Sequence, residues 1–294
     1  MSNHVVGIVP LITEPMDFNL DWHDSLMPIA PNYYAVERAV LECAYAGCKT
    51  IWIVANDDTT PLIRHRLGDY IQDPVWLGRM SRFPSSKRTL IPIFYVPNPP
   101  EHKNKEFCIS WAIIKGASVA TEVGGSISKW IKPSAFYVAF PHSIYPPDFV
   151  RGHRLDLAKQ DNFFLTHQGK SVGTGDMLGF TFNKQQFQDI KNNFLKTENS
   201  LLLGQELDNE KEYFKDKFSL DNTFKCVIMY REGEEIPWHY QIDSWNSYCN
   251  FLSSEEKNEM RHPGKLIISY RELNPIGVDN ANQSNQSNQD NQDD

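Results

Sequence analysis

Cysteine is scarce and unpatterned in this 294-residue sequence: five residues, Cys43, Cys48, Cys108, Cys226 and Cys249, with no CxxC or other metal-ligand spacing. An odd, scattered set excludes a disulfide framework and points to reduced, mostly buried thiols in a cytoplasmic setting. Positive charge is also in short supply. The 29 Lys and Arg residues face 37 Asp and Glu, a formal net charge of −8. That argues against a general nucleic-acid or anionic-membrane binder, because such ligands need clustered cations to neutralise phosphate. Arg79, Arg82, Lys87 and Arg88 lie close together and read as a solvated loop in preference to a local basic patch. No apolar run reaches the length of a membrane span, and Met1–His4 lacks the basic region of a secretory leader. Neither nucleic acid nor membrane is expected as a partner.

What is present is a core-forming pattern, with 40% apolar residues. Val5 to Leu11 reads as a first strand. In 24–54, Pro28 and Pro31 hold a loop extended. Val36, Val40 and Cys43, with Ala39 and Ala44, then recur at helical spacing. Gly47 supplies a left-handed stop, and Thr50 to Ala55 has the composition of a strand covered on both faces. Thr60 is read as an N-cap with Pro61 at the first helical position, and the helix from Pro61 to Ile71 carries Leu62, Ile63, Leu67 and Tyr70 on one face. Thr89 to Val96 is a third strand, placed at an edge or bulge by Pro92. Glu106 to Val123 is a helix and Ala135 to Phe140 a buried strand. This β-α-β-α-β-α-β alternation predicts an α/β fold with a mostly parallel central sheet flanked by helices on both faces.

Beyond about residue 145 the alternation weakens. Strands are expected at Phe163–Thr166, Met177–Phe182, Phe224–Tyr230, Trp238–Ile242 and Leu266–Tyr270, and helices at Asn183–Leu195, Glu206–Phe218 and from Ser244. The segment from Asp279 is dominated by Asn, Gln, Ser and Asp, cannot bury apolar surface and is expected to be disordered. The sequons at Asn282 and Asn285 carry no meaning in a cytosolic chain. Residues 1–278 are therefore read as one main domain and 279–294 as a polar tail.

Three segments carry a resemblance. Ser25-Leu-Met-Pro-Ile-Ala-Pro-Asn-Tyr-Tyr-Ala-Val-Glu-Arg-Ala-Val40, with the strand after it, is similar to a "P-K-P-L-L-P-I" segment followed by "A-G-x-x-x-I-x-I-V". Asp176-Met-Leu-Gly-Phe-Thr-Phe-Asn-Lys-Gln-Gln-Phe187 resembles "G-I-Y-x-F-x-x-x-x-F". Trp238-His-Tyr-Gln-Ile-Asp-Ser-Trp245 resembles "W-x-D-I-D-T". In this order they resemble the sugar-phosphate nucleotidyltransferases, the NDP-sugar pyrophosphorylase group with a glycosyltransferase-A-like fold, over about residues 5 to 255. The resemblance implies a nucleotide or nucleotide-sugar ligand and a site at the carboxyl ends of the strands, with Mg²⁺ as cofactor only if the transfer chemistry survives.

The chemistry of that family depends on residues this sequence replaces. Its "A-G-G-x-G-T-R-L" phosphate loop needs glycines for close backbone approach. Here the segment is Val9-Pro-Leu-Ile-Thr-Glu-Pro-Met-Asp17. The lysine before "P-L-L-P-I" corresponds to Asp24. The metal aspartates correspond to the Phe140-Pro-His-Ser143 segment and to Gln241, and a neutral carboxamide is a poor Mg²⁺ ligand. Losing the groups that stabilise a transferred phosphoryl predicts loss of metal-dependent transfer and a binding, assembly or regulatory role. The other reading, a divergent but active nucleotidyl- or glycosyltransferase, requires a compensating site. Candidate residues of the remnant pocket are Thr13, Glu14, Asp24, Asn56, Asp57, His142, Asp176 and Asp243; no metal ligand is assigned.

Each candidate has a sharper and a plainer meaning. His142 is a metal ligand or base partnered by Asp24 or Asp243, or simply part of a Pro-shaped turn. Asp57 and Asp58 are a carboxylate pair or a polar loop. Asp243 is a ligand or a helix cap. Gly169-Lys-Ser-Val-Gly-Thr-Gly175 lacks the GxxxxGK[ST] context and reads as a hairpin turn. Trp22, Trp76, Trp111 and Trp130 suit either a protein interface or ordinary core.

Overall fold

The computed structural model describes residues 4–11, 18, 20, 22–77, 90–98, 108–127, 132–159, 162–202, 210–228, 232–262 and 267–268. Thr13, Glu14, the basic cluster at 79–88, Trp130 and the polar tail lie outside these residues. In chain order the elements are β1 (Val5–Pro10), β2 (Pro28–Ala30), β3 (Tyr33–Tyr34), α1 (Ala35–Ala46), β4 (Thr50–Asn56), α2 (Thr60–Leu67), β5 (Tyr70–Gln72), α3 (Pro74–Leu77), β6 (Leu90–Asn98), α4 (Ile109–Ile127) and β7 (Ala135–Val138). The second half contains β8 (Ser143–Ile144), α5 (Phe149–Gly152), α6 (Arg154–Lys159), β9 (Leu165–Thr166), β10 (Phe180–Asn183), α7 (Lys184–Leu202), α8 (Glu210–Lys217), α9 (Leu220–Ile228), β11 (Glu234–Glu235), β12 (Tyr240–Gln241), α10 (Trp245–Ser253) and β13 (Ile267–Ile268).

The main sheet has seven strands in the order β10-β7-β1-β4-β6-β5-β13. Its centre, β7-β1-β4-β6, is parallel, and β10, β5 and β13 pair antiparallel at the flanks. The alternation of side chains along each strand divides the core between the two faces. Val5 and Val9 of β1 and Ile51, Ile53 and Ala55 of β4 pack with α1. Val6, Ile8, Trp52 and Val54 point the other way, into a layer built from α4, α7 and α9. The buried stretches of these strands, Val5–Pro10 and Ile51–Ala55, have no polar side chain because both faces are covered. The fold is thus the expected α/β arrangement, with Gly47 ending α1 at φ 89°.

Several local expectations are corrected. Residues 224–230 were expected to be extended, but Leu220–Ile228 is helical. Leu220, Phe224 and Val227 recur at helical spacing and are buried, with Phe224 against Phe180 and Phe182 of β10; their aromatic and β-branched character mimics a strand. The helix after Pro61 stops at Leu67, and Tyr70 belongs to β5 rather than to the helical face, which keeps Ile63 and Leu67 but leaves Leu62 exposed. Pro92 is in an internal strand. Pairing of β6 with β4 begins at Ile93, so the missing proline N–H forfeits no bond to β4. Thr59, not Thr60, occupies the N-cap of α2, and both hydroxyls donate back to the Asn56 carbonyl instead of capping. Asn183 does cap α7: its side chain accepts from the Gln186 N–H, and Gln186 returns the bond to the Asn183 N–H.

Candidate functional site

Just beyond the carboxyl end of β7 two short segments of the chain meet. β8, which follows β7, pairs antiparallel with β12, placing Gln241 opposite Ser143. The Ile242 N–H donates to the His142 carbonyl at 2.7 Å. The two segments that the resemblance aligned with metal aspartates, Phe140–Ser143 and Gln241, are spatial neighbours, although nearly a hundred residues of chain separate them.

Their side chains are neutral. His142 is 1% exposed, and neither ring nitrogen has a hydrogen-bond partner. Burial, reinforced by His23 and Arg38, pushes its pKa down to about 3. His239 shares a 2.8 Å hydrogen bond between its Nε2 and the Ser143 hydroxyl. Burial, then His167, Arg38 and Lys170, bring its pKa to about 3 as well. Gln241 reaches Met177 Sδ through its amide nitrogen at 3.6 Å, while its carbonyl oxygen is buried without a partner. His23 lies near this group and is also held below its usual pKa, mainly by burial. Its Nε2 faces the Leu11 carbonyl at 3.0 Å, so Nε2 carries the proton and Nδ1 accepts from the Ser25 N–H at 3.2 Å. At the ends of β4 and β6, Asn98 donates to Asn56 at 3.4 Å and its own carbonyl oxygen is buried and unpartnered.

Beneath this neutral group lies a charged one. Arg38 and Glu42 of α1 are fully buried and paired at 2.8 Å. Arg38 also donates to the Phe140 carbonyl at 2.6 Å, two residues before His142, and stacks 4.6 Å from the Tyr145 ring centre. The Tyr137 and Tyr145 hydroxyls both donate to Glu42. Burial opposes the charge on Arg38, but Glu42 and the tyrosines outweigh it and raise its pKa. Burial and then Glu42 raise both tyrosines, which stay protonated donors. This network fixes the backbone that presents His142.

The remaining candidates are dispersed around the rim. Asp24 is half-buried at the start of a 3₁₀ turn, Asp24–Leu26. Asp57 and Asp58 are exposed in the turn before α2, as the polar-loop reading has it. Asp176 accepts from the Thr174 hydroxyl at 2.7 Å and lies 3.9 Å from Lys170, closing the turn that ends at Gly175. The hairpin reading holds only at the start of this segment, where Gln168 and Gly169 have positive φ and His167 pairs with Lys170; Val172–Thr174 is instead a 3₁₀ turn capped by Ser171. Asp243 is exposed, and α10 is capped by Ser244 instead, whose hydroxyl accepts from the Ser247 N–H.

Mg²⁺ takes carboxylate, phosphate and water oxygens. The cluster offers imidazole, hydroxyl and carboxamide groups, and among the described residues no three His, Cys, Asp or Glu side chains are grouped so as to hold a metal ion. His142, Asp24 and Asp243 are not drawn together as a rebuilt metal centre, and this donor set does not fit Mg²⁺.

Sequence reasoning missed Arg38, Glu42, Tyr137, Tyr145, Ser143 and His239. A signal existed for the first two. They are an i,i+4 pair of opposite charge in a helix whose other residues, Ala35 to Ala46, are mostly apolar or small. No local pattern marks Ser143 or His239, which meet only through long-range strand pairing.

No protein-family model and no curated protein sequence matches the chain. Solved structures do. A protein assigned as a glucose-1-phosphate thymidylyltransferase from Bacillus anthracis, in complex with sucrose, aligns with a TM-score of 0.51 at 11% identity over 86% of this chain and 99% of that one. A UDP-glucose pyrophosphorylase complexed with UDP-glucose aligns with a TM-score of 0.50 at 11% identity over 87% and 98%. The fold is nucleotidyltransferase-like. Among the described residues no helix is long and apolar enough to cross a membrane.

Proposed function

We propose that the chain keeps the nucleotidyltransferase-like frame without metal-dependent nucleotidyl transfer, and uses the neutral cluster at the carboxyl end of β7 to bind an uncharged polar group in a binding, assembly or regulatory role. One observation carries the reading: His142 is buried with both ring nitrogens unpartnered, beside Gln241, whose carbonyl oxygen is also unpartnered. Buried polar atoms left without partners cost stability and ask for an explanation. A ligand that supplies hydroxyl or amide groups answers it. A nucleotide-sugar is one such ligand and a protein loop another; the neighbours' ligands make the first the natural probe. Exposed Trp22 offers an aromatic anchor for a protein partner, whereas Trp111 packs against Phe194 in the core. The five free cysteines are in keeping with a cytoplasmic setting.

The test is turnover. Pyrophosphate release from UTP or CTP with glucose 1-phosphate is measured with Mg²⁺ or Mn²⁺ present. The expected result is no release above the protein-free blank. Metal-dependent release abolished by His142→Leu would instead establish the second reading, a divergent but active nucleotidyl- or glycosyltransferase. In that reading His142 and His239, neutral imidazoles with pKa values of about 3, orient the substrate through hydrogen bonds, being too weakly basic at pH 7 to act as general bases.

A further inference from the structure

We propose a second, independent site on the helical layer that binds the phosphate group of a small molecule. A cavity of about 350 Å³ lies between α7 and the corner where α8 meets α9, and it shares no lining residue with the carboxyl-end cluster. Phe218 forms part of its wall and stacks on Phe194 with ring centres 3.7 Å apart, which fixes the corner against α7. Lys196 enters from α7 and Lys217 from the end of α8. Lys217 donates to the Tyr213 hydroxyl at 2.9 Å and keeps two further N–H donors. Lys196 makes no ion pair among the described residues.

Hydroxyl groups complete the lining. Thr197 is 5% exposed and donates to the Asn193 carbonyl at 3.0 Å. The Thr223 hydroxyl is buried without a partner. The described lining residues include no Asp or Glu. In a chain of net charge −8, a pocket with two ammonium groups, a spare hydroxyl donor and no carboxylate is a local reversal of sign. Such a set matches an oxyanion, where charge-assisted hydrogen bonds are strongest. The volume suits a small phosphorylated molecule rather than a polymer.

The experiment titrates inorganic phosphate into the full chain at constant ionic strength, with chloride as the compensating anion. Binding is followed by calorimetry and by amide chemical shifts. Saturable binding with shifts centred on residues 193–197 and 217–223 is expected. Lys196→Gln and Lys217→Gln should each weaken it by about tenfold, Thr223→Val should weaken it, and His142→Gln should leave it unchanged. The shift map of the unaltered chain keeps the test decisive even where a variant fails to fold. Binding that does not saturate beyond chloride, survives the Lys196→Gln/Lys217→Gln double variant, or maps to the His142 region overturns the proposal.

Discussion

Two buried polar groups adjoin the end of β7, and they differ in charge and in saturation. The lower group, Arg38, Glu42, Tyr137 and Tyr145, is ionised, and its strong donors and acceptors are used; only Arg38 Nε lacks a partner. The upper group, His142, Ser143, His239 and Gln241, is neutral and holds three unpartnered atoms, both His142 nitrogens and the Gln241 oxygen. A satisfied network rigidifies the core, whereas an unsatisfied one has capacity to spare for something from outside. The first group holds the Phe140 carbonyl in place, and the second is the one proposed above to take a ligand.

The contrast can be broken most forcefully at Glu42. Glu42→Ala leaves Arg38 buried and uncompensated, and should cost about 3–5 kcal/mol in urea denaturation. The Arg38→Met/Glu42→Leu double variant should cost less than Glu42→Ala alone. Equal or larger loss in the double variant would show that packing, not charge, is what the pair supplies.

The upper group should reveal itself through pH. His142 has a folded pKa of about 3 against an ordinary value of 6.5. Between those limits the unfolded chain binds a proton that the folded chain does not, so stability is full above pH 6.5 and falls as the pH drops towards 3. The slope from His142 approaches about 1.4 kcal/mol per pH unit, and His239 acts in the same direction. In His142→Leu the slope should shrink by close to one proton, read from urea midpoints between about pH 7 and about pH 4.5. An unchanged slope would mean that His142 is not the neutral buried group described.

A smaller effect is expected at Gly179. An added Cβ there would lie 2.5 Å from the Tyr137 hydroxyl and 2.7 Å from Glu42 Oε1. Gly179→Ala should therefore crowd the charged network and cost about 1–3 kcal/mol by thermal or urea unfolding. The smallest change, and the one with the opposite sign, is His142→Leu at pH 7. Replacing an unpartnered buried imidazole by an apolar side chain should be neutral or stabilising by up to about 1 kcal/mol. A clear loss of stability there would place His142 among the structural residues and erase the distinction.

The two groups also differ in how far the sequence foretells them. The frame was legible because its signals are local: helical spacing from Val36 to Ala44, Gly47 as a stop, and the apolar run Thr50–Ala55. Phe224–Ile228 was misread because aromatic and β-branched residues favour strands when their spacing is ignored. β5 is three residues long and lies too close behind Gly68 to stand apart from α2. Arg38 and Glu42 escaped notice because charge on a helix ordinarily marks a solvated face, and only tertiary packing buries it here. His142 and Gln241 were singled out through the family resemblance, which aligned them to aspartates. That the His142–Ser143 segment meets the His239–Gln241 segment depends on the pairing of β8 with β12, a contact over nearly a hundred residues.

The central claim is that this site binds without a metal. Calorimetric titration of UDP-glucose, UTP and CTP in paired experiments, with and without Mg²⁺ or Mn²⁺, tests it most directly. The metal should change nothing, so that whatever affinity is found is the same in both. Micromolar binding that appears only when the metal is added would contradict it.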